Sequence, residues 1–157
     1  MRVVVIKEYG NYAPSGAFVL DLSERKIHDC IACWSCWLKT PGRCCFSDLD
    51  DFYAHYVNAD KIILFSRVSN GFVSGSLKTL LDRSIPHYVP YVRYDSGESM
   101  HVKRYENAPE VEVYYEGEFL DAAERKTYED YLHRVFYQFH CGKTTVMPLD
   151  CAEGLQA

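Results

Sequence analysis

The sequence predicts an α/β protein with a doubly wound, mostly parallel sheet. An antiparallel N-terminal strand pair is expected to replace the first crossover helix. Three observations carry this. Val3-Val4-Val5-Ile6 and Ile62-Ile63-Leu64-Phe65 are continuous apolar runs, as strands covered on both faces require. From residue 47 onward, strand-like runs alternate with helix-like ones, which implies parallel strands joined by crossovers. Between the first two strand-like runs, residues 8–16 contain Gly10, Asn11, Pro14 and Gly16 and hold no helix-forming pattern.

The elements follow in order. Val3–Ile6 is the first strand. Ala17-Phe18-Val19-Leu20 is the second; with no helix to carry the chain across the sheet, it is expected to run antiparallel to the first. Ser23-Glu24-Arg25 is a turn, and Lys26-Ile27-His28-Asp29 is expected to return in the original direction, delivering Cys30 to the edge where the first strand ends. Ser47, Asp48, Asp50 and Asp51 mark a helix start with acceptors and negative charge, and Leu49, Phe52, Tyr53, Tyr56 and Val57 form its apolar face. Ile62–Phe65 is the central strand, and Ser66–Gly71 reads as a polar loop after it. Leu77, Leu80, Leu81 and Ile85 recur at helical spacing until Pro86. His87–Pro109 reads as a long aromatic irregular segment. Val111–Tyr115 is a strand, Asp121 and Glu124 form a capping-box pattern, Tyr128–Phe139 lines a long helix, and Lys143–Leu149 is the last strand.

The 157 residues fit one domain, 1–157, with a substantial core. A net charge of −5 argues against a nucleic-acid partner. No apolar run reaches the ~18 residues that a membrane span needs. The start, Met1-Arg2-Val3-Val4-Val5-Ile6-Lys7, is charged too early for a signal peptide, so a cytoplasmic protein with reduced thiols is expected. An odd count of seven cysteines also argues against a full disulfide framework.

Four of those cysteines form Cys30-x-x-Cys33-x-x-Cys36-x7-Cys44. Three thiols at two equal gaps on one segment let a short loop wrap a soft metal centre with thiolates. A zinc site of four thiolates normally uses two separated Cys-x-x-Cys pairs, so iron–sulfur fits the spacing better. Reduced structural thiols and a thiol–disulfide pair at Cys33 and Cys36 are the alternatives. Cys45, Cys141 and Cys151 are read as structural or free. Trp34 and Trp37 flank the cysteines; packing on the sheet edge or on a neighbouring subunit is favoured over stacking on a ligand. Asp82 and Arg83 read as a helix-end pair or interface contact. His87, His101, Lys103 and Arg104 read as a solvated or subunit-contacting surface, with anion binding the sharper alternative. Tyr88, Tyr91, Tyr94 and Tyr105 favour a homo-oligomer, tyrosine being enriched at interfaces.

Cys30-Ile31-Ala32-Cys33-Trp34-Ser35-Cys36-Trp37 with Thr40-Pro41-Gly42-Arg43-Cys44 resembles the cysteine segment of iron–sulfur flavoproteins and related flavodoxin-like, NADPH-dependent FMN reductases. Ala59–Ser66 followed by Gly75–Arg83 resembles a strand and helix of the same superfamily. The resemblance is specific over residues 30–86. It implies a flavodoxin-like fold and FMN as cofactor. It also implies electron transfer from a nicotinamide or a reduced, ferredoxin-type iron–sulfur donor. By the match, Cys30, Cys33, Cys36 and Cys44 would ligate a 4Fe-4S cluster.

The departures from that family are specific. The Ser/Thr/Asn-rich phosphate loop and helix after the first strand are missing; Asn11, Tyr12 and Ser15 are weak substitutes. The family's flavin-ring loop, Ser-Pro-x-Tyr, reads Ser66-Arg67-Val68-Ser69. A flavin ring is then expected against Ser66, Arg67, Val68, Ser69, Asn70 and Gly71 on one loop and Gly117 on another, with Arg67 supplying charge to the phosphate. Two functions follow. One is an FMN-dependent oxidoreductase, with or without the cluster. The other is a flavin-free binding or assembly module of the same fold that has lost the phosphate site.

Overall fold

The computed structural model describes residues 1–151. Five strands form its parallel sheet: β1 (Val3–Lys7), β2 (Phe18–Asp21), β3 (Lys61–Ser69), β7 (Glu110–Glu116) and β8 (Thr144–Pro148), in the order β2-β1-β3-β7-β8. A two-residue strand, β4 (Phe72–Val73), pairs with the end of β3, and β5 (Tyr88–Asp95) with β6 (Glu98–Lys103) makes a separate ribbon. The helices are α1 (Ser35–Leu38), α2 (Asp50–Tyr56), α3 (Gly75–Asp82) and α4 (Ala122–Gln138). This is the flavodoxin-like, doubly wound arrangement expected. No helix among the described residues is long and apolar enough to cross a membrane.

One sheet face packs on the helices. Val4, Ile6, Ile62, Leu64, Val111 and Val113 meet Leu49, Phe52 and Tyr56 of the α2 region, Leu77 and Leu80 of α3, and Tyr128, Leu132 and Phe136 of α4. Each such side chain contributes about 1.5–3 kcal/mol on burial. The helix starts follow their sequence signals. Ser74 caps α3 by accepting from Leu77 N at 3.0 Å. Asp121 caps α4 by accepting from Ala123 N and Glu124 N, both at 2.9 Å.

The N-terminus corrects the strand-direction expectation. Residues 8–16 form no helix, but β2 runs parallel to β1, in register Val4↔Phe18 to Lys7↔Asp21. The physical reason is reach. The ten residues 8–17 between the strands extend to at most about 33 Å, twice the ~15 Å rise of a five-residue strand. A crossover therefore needs no helix, only something apolar to cover the face it crosses. Tyr9, Tyr12 and Ala17 do this, packing against a second cluster of Val5, Ile63, Phe65 and Tyr114. Tyr9 also donates to Tyr114 O at 3.0 Å. Because β2 already points toward the carboxyl edge, no return strand forms at 26–29 and the chain reaches Cys30 directly.

Two further segments differ from expectation. Ser66–Gly71 is not a free loop: β3 runs on to Ser69, and Val68 and Ser69 pair antiparallel with Val73 and Phe72 across Asn70-Gly71. Residues 88–103 are the β5–β6 hairpin, turning at Ser96-Gly97. Both turn dipeptides have positive φ at both residues, the type I′ pattern that matches strand twist. The ribbon leaves Tyr91, Val92 and Tyr94 exposed, while Tyr88 at its base is buried.

Candidate functional site

Cys30, Cys33, Cys36, Cys44 and Cys45 all line one cavity of about 380 Å³. That volume lies in the ~300–1,000 Å³ range of small-ligand and cofactor sites. The segment that carries the first three is irregular up to α1. Ala32 and Trp34 on either side of Cys33 both take left-handed backbone, at φ 51° and 59°. Such positions cost of order 1 kcal/mol or more for non-glycine residues and concentrate where a site dictates the backbone. Trp37 anchors the segment to the ribbon, donating from Nε1 to Tyr88 O at 3.0 Å and lying 5.1 Å from the His101 ring. Trp34 stays largely exposed against Trp37.

Arg83 forms the cavity's inner wall. Its side chain is 1% exposed. Nη2 donates to Asp48 Oδ1 at 2.7 Å and Nη1 to the His28 carbonyl at 2.5 Å, while the guanidinium lies 5.3 Å from the Phe46 ring centroid. Nε has no partner. Burial works against charge on both groups, yet the hydrogen bonds between them win. Asp48 is held well below the usual carboxylate range, with further bonds from His28, and Arg83 is held above its ordinary value. Arg83 also interacts electrostatically with Cys44. The cavity thus has thiols around it and a buried cation in its wall.

The thiols are not equivalent. Cys33 Sγ lies 3.4 Å from Ser35 Oγ and 3.5 Å from Cys45 Sγ. The bond with Ser35 foremost, then that with Cys45, lowers the Cys33 thiol to about 7. The same contact with Cys33 pushes Cys45 up to about 11. Burial raises Cys36. Cys141 lies away from the cavity against Tyr56, pushed up to about 12 by burial, and Cys151 is exposed. Among the described residues, no three His, Cys, Asp or Glu side chains are close enough together to hold a single metal ion.

The residues expected around a flavin lie elsewhere, on the end of β3 and the turn after it, and just beyond β7. The Ser66 hydroxyl is buried and accepts from Tyr128 at 2.7 Å. Arg67 N donates to Glu8 Oε2 at 2.7 Å, and its exposed guanidinium pairs with Glu116 at 3.5 Å. Val68 and Ser69 are in the hairpin. Glu8 also bonds the Ser74 hydroxyl. A Cβ placed on Gly71 would lie 2.1 Å from the Glu124 carboxylate, and one on Gly117 2.7 Å from Val68. Backbone groups near this edge are thus engaged by carboxylates, Arg67 N by Glu8 and Leu120 N by Glu124 at 2.7 Å. That charge disfavours a phosphate dianion, and in this arrangement the edge does not fit FMN.

Sequence reasoning missed four contributors. Cys45, read as structural or free, is a free thiol that lies beside Cys33. Asp48, read as a helix-start acceptor, and Arg83, read as a helix-end contact, pair across 35 residues. Glu8 closes the flavin edge. Only Cys45 had a local signal, its adjacency to Cys44. His87, read as part of a solvated or subunit-contacting surface or of an anion site, is instead buried, stacked on Tyr56 at 4.3 Å, and neither ring nitrogen has a partner among the described residues.

No family model matches the chain. Over 68 residues, 43% of this chain, it is 40% identical to iron–sulfur flavoprotein MJ1083 of Methanocaldococcus jannaschii. Over 62 residues, 40% of the chain, it is 37% identical to iron–sulfur flavoprotein MJ0731 of the same organism. These matches span 34% and 31% of the relatives' own length, about a third. Among solved structures, azoreductase AzrA aligns at TM-score 0.60 and 11% identity, over 94% of this chain and 87% of that one. An azoreductase from Bacillus anthracis str. Sterne aligns at 0.58 and 12%, over 95% and 88%. An FMN-dependent NADH-azoreductase from Bacillus anthracis str. Ames Ancestor, in complex with FMN, aligns at 0.52 and 9%, over 94% and 86%. At these identities the structural likeness establishes the fold. The sequence relatives carry the name of the family that the cysteine segment resembles.

Proposed function

We propose that this chain is an electron-transfer oxidoreductase domain whose redox centre is an iron–sulfur cluster held by Cys30, Cys33, Cys36 and Cys44. One observation carries the reading: the four cysteines line a single cavity whose wall also holds the buried Arg83. A thiolate-ligated cluster carries net negative charge, and the Arg83 guanidinium beside it, paired with Asp48, would tune its potential. Asp48 and His28 hold Arg83 in place, and Trp37 holds the loop against the ribbon. The names of the sequence relatives support both the cluster and a flavin.

The relatives' names support a flavin as well, which would supply two-electron exchange with a nicotinamide donor. The edge formed by Ser66–Gly71 and Gly117 does not fit it as Glu8 and Glu124 stand. Self-association through the exposed Tyr91 and Tyr94 of the ribbon would complete the assembly.

A second reading is favoured by the carboxylates at that edge: a flavin-free module of the same fold. Anaerobic reconstitution with iron and sulfide, followed by absorption and electron paramagnetic resonance, tests the first. Uptake of four irons, lost when Cys36 is changed to serine, is expected. Absence of iron uptake by the reduced protein rejects the cluster. Absence of FMN binding at high concentration as well leaves the module.

A further inference from the structure

We infer that Cys33 and Cys45 form a reversible dithiol–disulfide pair that switches the cysteine cavity between a ligand-competent and a ligand-incompetent state. The consequence for the cavity rests on the cluster reading; the pair itself does not. Cys45 stands outside the four-cysteine spacing, yet its Sγ lies 3.5 Å from that of Cys33. A disulfide needs about 2.05 Å, so closure asks for ~1.5 Å of movement. Both residues lie outside helices and strands, on segments able to make that adjustment, and both are exposed. A small oxidant can therefore reach them. Cys36 and Cys44 are half-buried against the cavity wall and less accessible.

The chemistry needs a low-molecular-weight disulfide such as oxidised glutathione. The thiol of Cys33 attacks it, forming a Cys33–glutathione mixed disulfide and releasing one glutathione thiol. The thiol of Cys45 then attacks the Cys33 sulfur, closing the Cys33–Cys45 bond and releasing the second glutathione thiol. The protein loses two hydrogens and two electrons; the oxidant gains both. With Cys33 engaged, Cys30, Cys36 and Cys44 remain, one thiolate short of the set. Reduction by excess thiol restores it. The cavity would thereby accept metal only under reducing conditions, and the exposed Cys33 would be shielded from further oxidation while vacant.

The test uses the reduced, metal-free full chain, equilibrated anaerobically with mixtures of reduced and oxidised glutathione, quenched with acid and alkylated. Peptide mass mapping should show a Cys33–Cys45 link and a protein lighter by two hydrogens. Linkage of Cys33 to another cysteine, or glutathione adducts without an internal link, overturns the inference. A second readout follows iron and sulfide uptake. The oxidised wild-type protein should lose uptake and regain it with dithiothreitol, while Cys45→Ser should stop at the Cys33–glutathione adduct with no internal link. Uptake retained by the oxidised wild-type protein, or an internal link to Cys33 in Cys45→Ser, overturns the switch. If the reduced wild-type protein takes up no iron, the cluster reading fails and the linkage map alone decides the pair.

Discussion

Arg83 and Asp48 form an ion pair, Nη2 to Oδ1 at 2.7 Å, that ties the end of α3 to the segment following the last cavity cysteine. Through Nη1 and the His28 carbonyl, the same guanidinium holds the segment preceding the first. One side chain therefore fixes both entrances of the cysteine loop. Arg83→Met should leave Asp48 without its main partner and cost about 3–5 kcal/mol of stability. The double variant Arg83→Met/Asp48→Leu should recover part of that. Urea denaturation of the set measures both effects. Loss of iron uptake in Arg83→Met beyond its loss of fold would show the electrostatic contribution.

His87 should make the protein acid-labile before its carboxylates do. Burial pulls its pKa from 6.5 down to about 3 in the folded state, so between those values the unfolded chain binds a proton that the folded chain refuses. Stability from this group is present above pH 6.5 and falls by about 1.4 kcal/mol per pH unit below it. Asp48 has the opposite form: its carboxylate stabilises the fold above its ordinary value of 3.8 and loses that contribution as pH falls further. The two windows overlap only near pH 3–4. His87→Phe, which keeps an aromatic ring on Tyr56, should flatten the stability curve between pH 6.5 and about 3, leaving the fall at lower pH that belongs to Asp48.

Gly71→Ala should destabilise by about 1–3 kcal/mol. The position has φ of 71°, and the new methyl would overlap the Glu124 carboxylate. The displaced Glu124 would also release Leu120 N at the start of α4. Pairing Gly71→Ala with Glu124→Ala should return the overlap cost but not the φ cost. Thermal unfolding of the single and double variants reads the difference.

Flavin affinity should respond to charge at the edge. Arg67→Ala should weaken FMN binding about tenfold, or ~1.4 kcal/mol, and a neutral change at Asn11 should do less. Glu124→Gln, which removes a carboxylate from the edge, should strengthen it. Flavin fluorescence during titration of the metal-free protein measures all three. An affinity insensitive to Arg67 and Glu124 would place the flavin away from this edge.

Legibility in the sequence followed the range of the interactions. Val3–Ile6, Ile62–Phe65 and Val111–Tyr115 were readable as buried strands because nearly every residue of such a run meets core, Glu112 with its partner Lys61 being the exception. Asp121 announced α4 because a cap acts within one turn. The Asn70-Gly71 and Ser96-Gly97 dipeptides carry a local hairpin signal too, since both residues of each must take positive φ. The direction of β2 could not be read from residues 8–17, since a ten-residue crossover and a reversal differ only in where the chain lands. Nothing near Arg83 in the chain points to Asp48 or His28. The cavity's cysteines were legible by spacing; the choice of Cys45 over Cys36 as the neighbour of Cys33 depends on how Ala32 and Trp34 turn the backbone.

The helix-free crossover makes the two faces of the sheet unequal in resilience. On one side, α2, α3 and α4 bury the strands and must undock together to expose them. On the other, Tyr9 and Tyr12 sit on a segment with few backbone hydrogen bonds of its own, such as Ala17 N to Pro14 O at 3.0 Å. Segments of that kind detach in sub-global openings well below the free energy of complete unfolding. Each opening would bare Val5, Ile63, Phe65 and Tyr114, a flat apolar strip across three neighbouring strands. The chain's solubility and its survival against proteases would then be set by how often residues 8–17 lift, a frequency that native-state hydrogen exchange reads directly, rather than by the stability of the core.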